Sequence, residues 1–255
     1  MIKTKRIKQI QDYIFEHQTV SLDELVNIFD VSKNTIRRDV QELVELGEIK
    51  KVYGGVAVND TAHAALESFN DRKTRNQRSK EQIAKLAASF IEDEDVIFID
   101  SGTTTLELIE YIKALHLTII TNNLNFIINS LPYENLNVIS IGGVLDRKTN
   151  SFVSIKKYDL LKSYNINKAF MASTGITLAN GVTNASPLES EIKQTVVERS
   201  SKVFLLVDHD KFDQYGLMTY CSLDEIDYLI TDKLPDEEYQ EYTKKKGIQL
   251  AIAEE

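Results

Sequence analysis

The spacing of apolar residues changes along this chain, and that change constrains the fold more than any single motif. Over the first 58 residues the apolar side chains recur at helical spacing, as Ile7, Ile10 and Ile14 do. From about residue 79, short apolar runs such as Val96–Ile99 alternate with helical patterns of roughly ten residues. Strands that alternate with helices indicate an α/β domain with a mostly parallel sheet. The sequence therefore predicts two domains, at residues 1–58 and 79–255, joined by a linker at 59–78. The polar part of that segment, residues 69–78, is expected to be a linker or a solvated helix.

The first domain is predicted to contain three helices and a β-ribbon. Helical spacing covers residues 3–17, and Ser21-Leu-Asp-Glu24 fits a capping box at the start of a second helix. Ser32 is a good N-cap for a third helix that runs to about Leu46, where Gly47 ends it. The strand-like residues 48–58 surround Gly54-Gly55, which predicts a short hairpin. This order is typical of a winged helix-turn-helix, a fold that usually reads DNA and sometimes mediates only protein contacts.

The third helix carries the side chains suited to a DNA groove. Ile36, Val40 and Leu43 form its inward stripe, so the polar side chains between them fan over the neighbouring face. Arginine can pair with both acceptors of guanine and asparagine with adenine, while hydroxyls and lysines hold phosphates. Together with the basic hairpin, the predicted DNA-binding residues are Ser32, Lys33, Asn34, Thr35, Arg37, Arg38, Gln41, Lys51, Tyr53, Gly54 and Gly55.

The charge distribution agrees with a DNA-reading module attached to an acidic body. The chain has 30 basic and 39 acidic residues, a net charge of −9, which excludes a wholly basic nucleic-acid coat protein. Residues 1–58 hold nine basic and nine acidic side chains, so the net charge of −9 lies entirely in residues 59–255. A neutral module binds DNA when its positive charge is gathered on one face. The single cysteine, Cys221, and the absence of a long apolar run predict a cytoplasmic protein with no membrane segment.

The second domain carries an anion-binding pattern in Phe98-Ile-Asp-Ser-Gly-Thr-Thr-Thr105. A predicted strand ends at Asp100, Gly102 allows a tight turn, and a helix begins among hydroxyl side chains. Free amides at a helix start, with these hydroxyls, suit a phosphate group. Two further predicted strands end in polar or glycine residues, at Thr121-Asn-Asn123 and Gly142-Gly143. Since ligands bind beyond the carboxyl ends of parallel strands, we expect one pocket at these three ends.

Both halves resemble the DeoR family of bacterial transcription regulators. The resemblance rests on Ser32-Lys-Asn-Thr-Ile-Arg-Arg-Asp39 and Tyr53-Gly-Gly55 in the first half, and on Asp100-Ser-Gly-Thr-Thr104 and Asp208-His-Asp-Lys-Phe212 in the second. It implies that Arg37 and Arg38 lie on a recognition helix. It also implies an effector domain, similar in fold to ribose-5-phosphate isomerase, that senses phosphorylated sugars. The implied effector-binding residues are Asp100, Ser101, Gly102, Thr103, Thr104, Thr121, Asn122, Gly142, Gly143, Lys148, Gly175 and Lys211.

A narrower resemblance joins the chain to the repressors of inositol-catabolism operons. It rests on residues 32–39, on Arg147-Lys148 before Ser151-Phe-Val153, and on Tyr164-Asn-Ile-Asn-Lys-Ala-Phe-Met171. The resemblance implies a homo-oligomeric repressor, a dimer or a tetramer, that binds operator DNA. Its implied inducer is a phosphorylated sugar or sugar acid, here a phosphorylated keto-deoxy sugar acid.

An enzyme is the alternative reading, because the same fold serves sugar-phosphate isomerases and deaminases. Glu189 and Glu191 follow Pro187 on a predicted helix and could act as proton shuttles, with Lys193 on the same helix. However, Ala172-Ser-Thr-Gly-Ile176 lacks the carboxylate that the related isomerases present there, and acid–base catalysis needs such a group within reach. The four scattered histidines lack metal-ligand spacing. We therefore predict no catalytic residues, no metal and no cofactor.

Overall fold

A computed structural model describes residues 3–17, 19–45, 49–52, 54–58, 67–153 and 161–253. The chain divides into two compact units, Met1–Ala62 and His63–Glu255. The first unit contains α1 (Lys3–His17), β1 (Thr19–Ser21), α2 (Leu22–Phe29), α3 (Lys33–Glu45), β2 (Ile49–Val52) and β3 (Gly55–Val58).

The first unit is a winged helix-turn-helix, which confirms the predicted architecture. Its strands form an antiparallel sheet in the order β1-β3-β2, so the predicted hairpin gains a third strand, β1, that was not predicted. Ile10 and Ile14 of α1 pack with Leu25 of α2 and with the α3 residues Ile36 and Leu43, all fully buried. The predicted end of α3 at Gly47 lies outside the described residues.

The second unit is built on a seven-stranded parallel sheet, as the alternating pattern predicts. The strand order is β15-β14-β12-β9-β4-β5-β6. Its helices are α4 (Phe69–Thr74), α5 (Gln77–Ala88), α6 (Thr103–Leu106), α7 (Ile109–Ile112), α8 (Leu124–Ser130), α9 (Pro187–Arg199) and α10 (Glu237–Lys246). The strands of the sheet are β4 (Val96–Ile99), β5 (Leu117–Thr121), β6 (Leu136–Ser140), β9 (Ile166–Met171), β12 (Ser200–Leu206), β14 (Tyr228–Thr231) and β15 (Gln249–Ile252).

Two smaller strand pairings accompany this sheet, and neither was predicted. One is a hairpin of β7 (Val144–Asp146) and β8 (Ser151–Val153). The other is an antiparallel sheet of β10 (Gly175–Thr177), β11 (Gly181–Asn184) and β13 (Met218–Cys221). Their strands have three or four residues, too few to show a clear alternation in sequence. The helix predicted over residues 103–113 is also divided, into α6 and α7.

The sheet buries one apolar cluster on each face. Phe98, Met171 and Leu205 belong to one cluster, and Ile99, Phe170 and Leu206 to the other. Because successive side chains of a strand point to opposite faces, strands covered on both sides read as continuous apolar runs. This explains why the central strands were recognisable in sequence.

Over residues 68–78 the structure is mostly helical, which favours the helical alternative over a linker. Residues 59–66 lie outside the described part, but α4 and the start of α5 occupy the remainder. Phe69, 2% exposed, packs in the same cluster as Ile83, and its amide donates to the carbonyl of Lys148. This stretch looks polar in sequence because Phe69 is its single buried aromatic residue and its neighbours are mostly charged or polar. Across the described ranges, no helix has the length and apolar character required to cross a bilayer.

Candidate nucleic-acid interface and anion-binding cleft

Helix α3 presents its polar face to solvent, as its sequence pattern predicts. Ser32 caps the helix, because its Oγ accepts a hydrogen bond of 3.2 Å from the amide of Thr35. Arg37 and Arg38 are exposed, while Ile36 and Val40 are buried beneath them. Lys33 and Asn34 are exposed at the start of the helix, and Lys33 Nζ lies 2.5 Å from Asp23 Oδ1 of α2. The exposed basic face is therefore held on a helix whose opposite face is anchored in the core.

Asp39 stabilises the unit rather than facing solvent. Its side chain is 2% exposed, and Oδ2 accepts a hydrogen bond of 2.6 Å from Nε of Arg6 on α1. This ion pair raises the pKa of Arg6, chiefly through the hydrogen bond to Asp39. A buried carboxylate requires such a partner, since an unpaired charge is costly in a low-dielectric interior. The pair fixes α3 to α1 next to the two exposed arginines.

A groove of about 700 Å³ separates α3 from the hairpin. Lys51 on the hairpin reaches across to α3, where its Nζ lies 2.5 Å from Oε1 of Gln41. The groove thus joins the helix and the ribbon in one positively charged concavity. Its lining residues are Leu22, Arg37, Arg38, Val40, Gln41, Glu42, Lys51, Val52, Gly54, Gly55 and Val56.

The two glycines of the hairpin have different roles in the structure. Gly54 is exposed with φ +80°, a left-handed conformation that glycine adopts without strain. Gly55 is buried, and a Cβ there would lie 2.3 Å from the carbonyl oxygen of Val20. The absence of a side chain at Gly55 is thus explained by close packing of β1 on β3. Tyr53, also predicted to contact DNA, lies outside the described residues.

A second candidate site lies in the other unit, at the carboxyl ends of adjacent strands. β12, β9 and β4 are neighbours in the sheet and end next to Val207, Ala172 and Asp100. A cleft of about 30 Å³ opens there, between these strand ends and helices α4 and α5. Its lining residues are Arg72, Arg75, Lys80, Gly102, Thr103, Thr104, Ala172, Ser173, Leu206, Val207, Asp208 and Lys211.

Four cationic side chains face this cleft against one carboxylate, Asp208. Burial lowers the pKa of Lys80 to about 8, with the nearby charges of Lys211 and Arg72 acting in the same direction and Asp208 opposing them. Burial also lowers the pKa of Lys211 and the pKa of Arg72. Cations placed together in a partly buried site are stabilised by an anion. The cleft is therefore built to receive negative charge.

The loop after β4 supplies the polar floor of the cleft. Gly102 packs closely on Ala172, because a Cβ added at position 102 would lie only 2.4 Å from the Cβ of Ala172. Thr105 Oγ1 accepts from the amide of Gly102 at 3.1 Å and donates to the carbonyl of Asp100 at 2.7 Å, which fixes the turn. Thr103 and Thr104 then line the cleft at the start of α6. The structure thus brings Gly102, Thr103 and Thr104 together with Lys211 at one cleft, and their contact with an effector stays a prediction.

Behind this loop lies a fully hydrogen-bonded acidic side chain, Glu189 of α9. It is 4% exposed and accepts hydrogen bonds from Ser101 Oγ at 3.0 Å, Ser151 Oγ at 2.6 Å and Asn184 Nδ2 at 3.1 Å. Burial acts to raise the pKa of Glu189, but the Lys193 ammonium and the three hydrogen bonds outweigh it and lower the pKa overall. Ser101 is therefore directed to Glu189 and does not line the cleft.

Buried polar atoms without a hydrogen-bond partner collect around the same strand ends. Among the described residues these atoms are Arg72 Nε, Asp100 Oδ1, both side-chain polar atoms of Asn122, Asn125 Nδ2 and Ser173 Oγ. Asp100 follows β4, Asn122 follows β5 and Ser173 lies just beyond β9, on three adjacent strands. The other carboxyl oxygen of Asp100 is bonded to Lys193 and to the amide of Ala172. Buried polar atoms are normally paired with protein groups, water or a ligand, so these strand ends are a candidate site for a polar ligand.

Several residues predicted to contact the effector lie elsewhere or serve the fold. Thr121 Oγ1 donates to the carbonyl of Ile99 at 2.6 Å, so the structure gives this hydroxyl a role in the sheet. A Cβ at Gly175 would lie 2.2 Å from the carbonyl oxygen of Gln214, which gives that glycine a packing role. Gly142, Gly143 and Lys148 do not line the cleft; Gly143 and Lys148 are exposed.

Arg75, Ser173 and Asp208 line the cleft but were not among the predicted site residues, and neither were Arg72 and Lys80. Arg72 and Arg75 lie in the stretch 59–78, where the polar sequence suggests a linker, and Lys80 lies two residues beyond it. One signal in the sequence is the apolar Phe69, three positions before Arg72, which places both on one helical face. Within the described ranges, no group of three His, Cys, Asp or Glu side chains is arranged to hold a metal ion.

Comparison with known families matches both units. A model of the DeoR-like helix-turn-helix domain matches residues 6–62, and a model of the DeoR C terminal sensor domain matches residues 75–233. Curated relatives match over nearly their full length. The HTH-type transcriptional regulator IolR of Bacillus subtilis is 44% identical over 99% of this chain and 100% of its own.

Two further relatives carry the word repressor in their names. The HTH-type transcriptional repressor GlcR of Bacillus subtilis is 29% identical over 100% of this chain and 98% of its own. The glycerol-3-phosphate regulon repressor of Escherichia coli is 30% identical over 99% of this chain and 100% of its own. Among solved structures, ribose 5-phosphate isomerase A from Methanocaldococcus jannaschii aligns with a TM-score of 0.40 and 17% identity, covering 54% of this chain and 55% of that one.

Proposed function

This chain belongs to the DeoR family of transcriptional regulators, and on that premise we propose that it represses a carbohydrate catabolic operon and is released by a phosphorylated effector. The relatives are named as regulators and the first unit is a helix-turn-helix domain, so the chain is a DNA-binding regulator rather than an enzyme. The operator, the effector and the oligomeric state are the parts we propose.

The proposed DNA-reading surface is the groove between α3 and the hairpin. Arg37 and Arg38 are exposed beside it on a helix whose stripe of Ile36, Val40 and Leu43 is buried. Arginines in this position suit bidentate contacts with guanine, and Lys51 with the backbone near Gly54 suits phosphates. A symmetric oligomer would place two such surfaces on repeated or inverted half-sites.

The proposed effector site is the cleft at the ends of β12, β9 and β4. One observation supports this proposal above the others: four cationic side chains and several unpartnered buried polar atoms lie at the same edge of the sheet. Thr103, Thr104 and the cations suit a phosphate, while Asp100 Oδ1 and the Asn122 amide suit hydroxyl groups. The cations neutralise the charge of a phosphate, and Asp100 and Asn122 provide a hydrogen-bond acceptor and donor for hydroxyl groups. A phosphorylated sugar or sugar acid carries both kinds of group.

The relatives support a sugar-related pathway for this effector. The name of the Escherichia coli relative includes a phosphorylated polyol, glycerol-3-phosphate. Residues 32–39, 147–153 and 164–171 resemble inositol-operon repressors, so inositol catabolism is the pathway we propose to examine first. Complete release of the operator requires the effector to prefer the non-binding state by about 5.5 kcal/mol.

A gel-shift assay tests this proposal directly. Full-length protein is mixed with DNA from upstream of its own and neighbouring genes, with and without a panel of sugar phosphates and phosphorylated sugar acids. We expect a specific complex that one phosphorylated compound releases, while the unphosphorylated form of that compound does not. Folded protein that binds no upstream DNA at low or moderate salt would overturn the proposal.

A further inference from the structure

The cleft is partly built by the segment through which the chain enters the second unit. Helix α4 is the first described element after residues 59–66, which follow the winged helix-turn-helix. Its N-terminal end is docked by the buried Phe69, and its C-terminal end supplies Arg72 and Arg75 to the cleft. An anion bound there would therefore contact both the sheet and this entering helix.

One buried lysine joins α4 to the cleft. Lys80 of α5 is 4% exposed, and its ammonium donates to the carbonyl oxygen of Arg72 and, at 2.6 Å, to that of Arg75. These carbonyls lie in the last turn of α4 and at Arg75, the residue that caps its C-terminal end, where helix carbonyls lack partners within the helix and carry partial negative charge. Lys80 lines the cleft as well, so a single charged group holds the end of α4 and faces the proposed anion.

A second contact ties the same turn to the other wall of the cleft. Asn76, the second of the two residues between α4 and α5, donates from Nδ2 to Asp210 Oδ2 at 2.7 Å. Asp210 precedes Lys211, one of the four cations. The arrangement leaves the α4–α5 turn fastened on one side by Lys80 and on the other by the segment that carries Lys211.

We infer that Lys80 is a positioning residue that couples anion binding in the cleft to the docking of α4, the segment that follows the DNA-binding unit. A protonated Lys80 holds the carbonyls of Arg72 and Arg75 and so directs both side chains to the anion. An anion in turn keeps Lys80 charged and α4 docked. This inference rests on the proposed effector site and adds the element through which occupancy of the site reaches the rest of the chain.

The charges around Lys80 give the coupling a pH dependence. The groups that face it are Asp208 and Lys211 beyond β12, Arg72 on α4 and Glu107 after α6. Burial lowers the pKa of Lys80 to about 8, and a nearby anion favours the charged form and raises that pKa. Anion binding near pH 8 is therefore accompanied by proton uptake, and anion affinity falls as the pH rises through 8.

Calorimetry with sulfate tests the inference, because sulfate stays a dianion throughout this pH range. Full-length protein is titrated at pH 7 and pH 9 in two buffers with different ionisation enthalpies. For the wild type we expect the affinity for sulfate to be about tenfold lower at pH 9 than at pH 7. We also expect the protein to take up protons when it binds sulfate near pH 8. Lys80→Arg, which stays charged, is expected to bind with less than a twofold pH effect and without the uptake. Lys85→Arg, an exposed lysine outside the cleft on the same helix, is the matched control and is expected to retain both.

Hydrogen exchange of residues 69–76 reports the docking of α4. In the wild type, saturating sulfate at pH 7 is expected to slow exchange in this segment. Lys80→Arg should preserve that slowing, whereas Lys80→Met should lose it even where sulfate still binds. Lys85→Met, an exposed lysine on the same helix, should behave as wild type.

The outcomes separate this inference from the proposed function. Sulfate binding that leaves exchange at 69–76 unchanged would overturn the role of Lys80 and α4 while leaving the anion site intact. Proton uptake that persists in Lys80→Arg would overturn it as well. Folded wild-type protein that binds neither sulfate nor any sugar phosphate would remove the effector site, and this inference with it.

Discussion

Ser101 and Glu189 are 88 residues apart in sequence, and the Ser101 hydroxyl donates a 3.0 Å hydrogen bond to the Glu189 carboxylate. The same carboxylate oxygen accepts from Ser151 at 2.6 Å. One buried side chain thus connects the loop after β4, the β7–β8 hairpin and helix α9. The contact explains how the loop that carries Thr103 and Thr104 is held at the edge of the cleft.

Replacing this carboxylate, in Glu189→Gln, should destabilise the second unit in a pH-dependent manner. The pKa of Glu189 is below its ordinary value of 4.5 in the folded chain, so its stabilisation is present above pH 4.5 and is lost as the pH falls through the lower folded value. At pH 7 we expect a loss of about 1.5–3 kcal/mol, typical of hydrogen bonds to a charged group. Urea denaturation at several pH values measures this loss.

The difference between Glu189→Gln and wild type should shrink as the pH falls below 4.5. Glu191→Gln, an exposed carboxylate on the same helix, is the matched control and should unfold as wild type does. A difference for Glu189→Gln that is independent of pH would contradict the role given to its charge.

Removal of either exposed arginine of α3 should weaken operator binding without affecting effector binding. For Arg37→Ala and Arg38→Ala we expect a loss of roughly 1–3 kcal/mol in specific affinity for each lost bidentate contact. Fluorescence anisotropy with labelled operator at fixed salt measures the loss, and Arg78→Ala in α5 is the control for removing an exposed arginine. Unchanged operator affinity in both α3 variants would show that α3 is not the recognition helix.

Two threonines that look alike in sequence should behave differently. Thr103 lines the cleft, so Thr103→Val should lower effector affinity roughly tenfold or more while operator affinity is retained. Thr121 donates within the sheet, so Thr121→Val should lower the unfolding midpoint instead. Calorimetry with the effector and thermal denaturation distinguish the two. Equal effects of both variants on effector affinity would contradict the assignment of Thr121 to the sheet.

The amide of Asn122 should discriminate between effectors rather than bind phosphate. Both of its polar side-chain atoms are buried and unpartnered, and it does not line the cationic cleft. Asn122→Ala should therefore weaken binding of the cognate sugar phosphate several-fold and leave binding of inorganic phosphate unchanged. Equal losses for the two ligands, measured by calorimetry, would place Asn122 outside the proposed hydroxyl-binding part of the site.

Sequence patterns predicted the features of this chain that depend on local spacing. The stripe of Ile36, Val40 and Leu43 follows from helical periodicity, and the turn at Gly102 follows from a glycine between a strand and a helix. Both lie where the sequence places them. The partner of Asp39 could not be predicted, because Arg6 is 33 residues away and the contact depends on how α1 packs on α3.

The composition of the effector site was predicted less completely, for a physical reason. Polar residues at strand ends look the same in sequence whether they face a ligand or bond to the sheet, as Thr103 and Thr121 do. Arg72 and Arg75 were missed as site residues because their polar stretch resembles a linker, and Lys80 lies two residues beyond that stretch. The packing of Phe69 into the core of the second unit and the hydrogen bonds of Lys80 and Asn76 bring them to the cleft, and none of these contacts is visible in local sequence.

The central claim is that one chain links operator binding to occupancy of the cleft. The most direct measurement is the affinity for operator with and without the effector, together with the affinity for effector with and without operator. Linkage requires the same factor in both directions, and we predict a factor well above tenfold that is lost when Arg72 is replaced by Met. Two ligands that bind with full affinity in each other's presence would contradict the account.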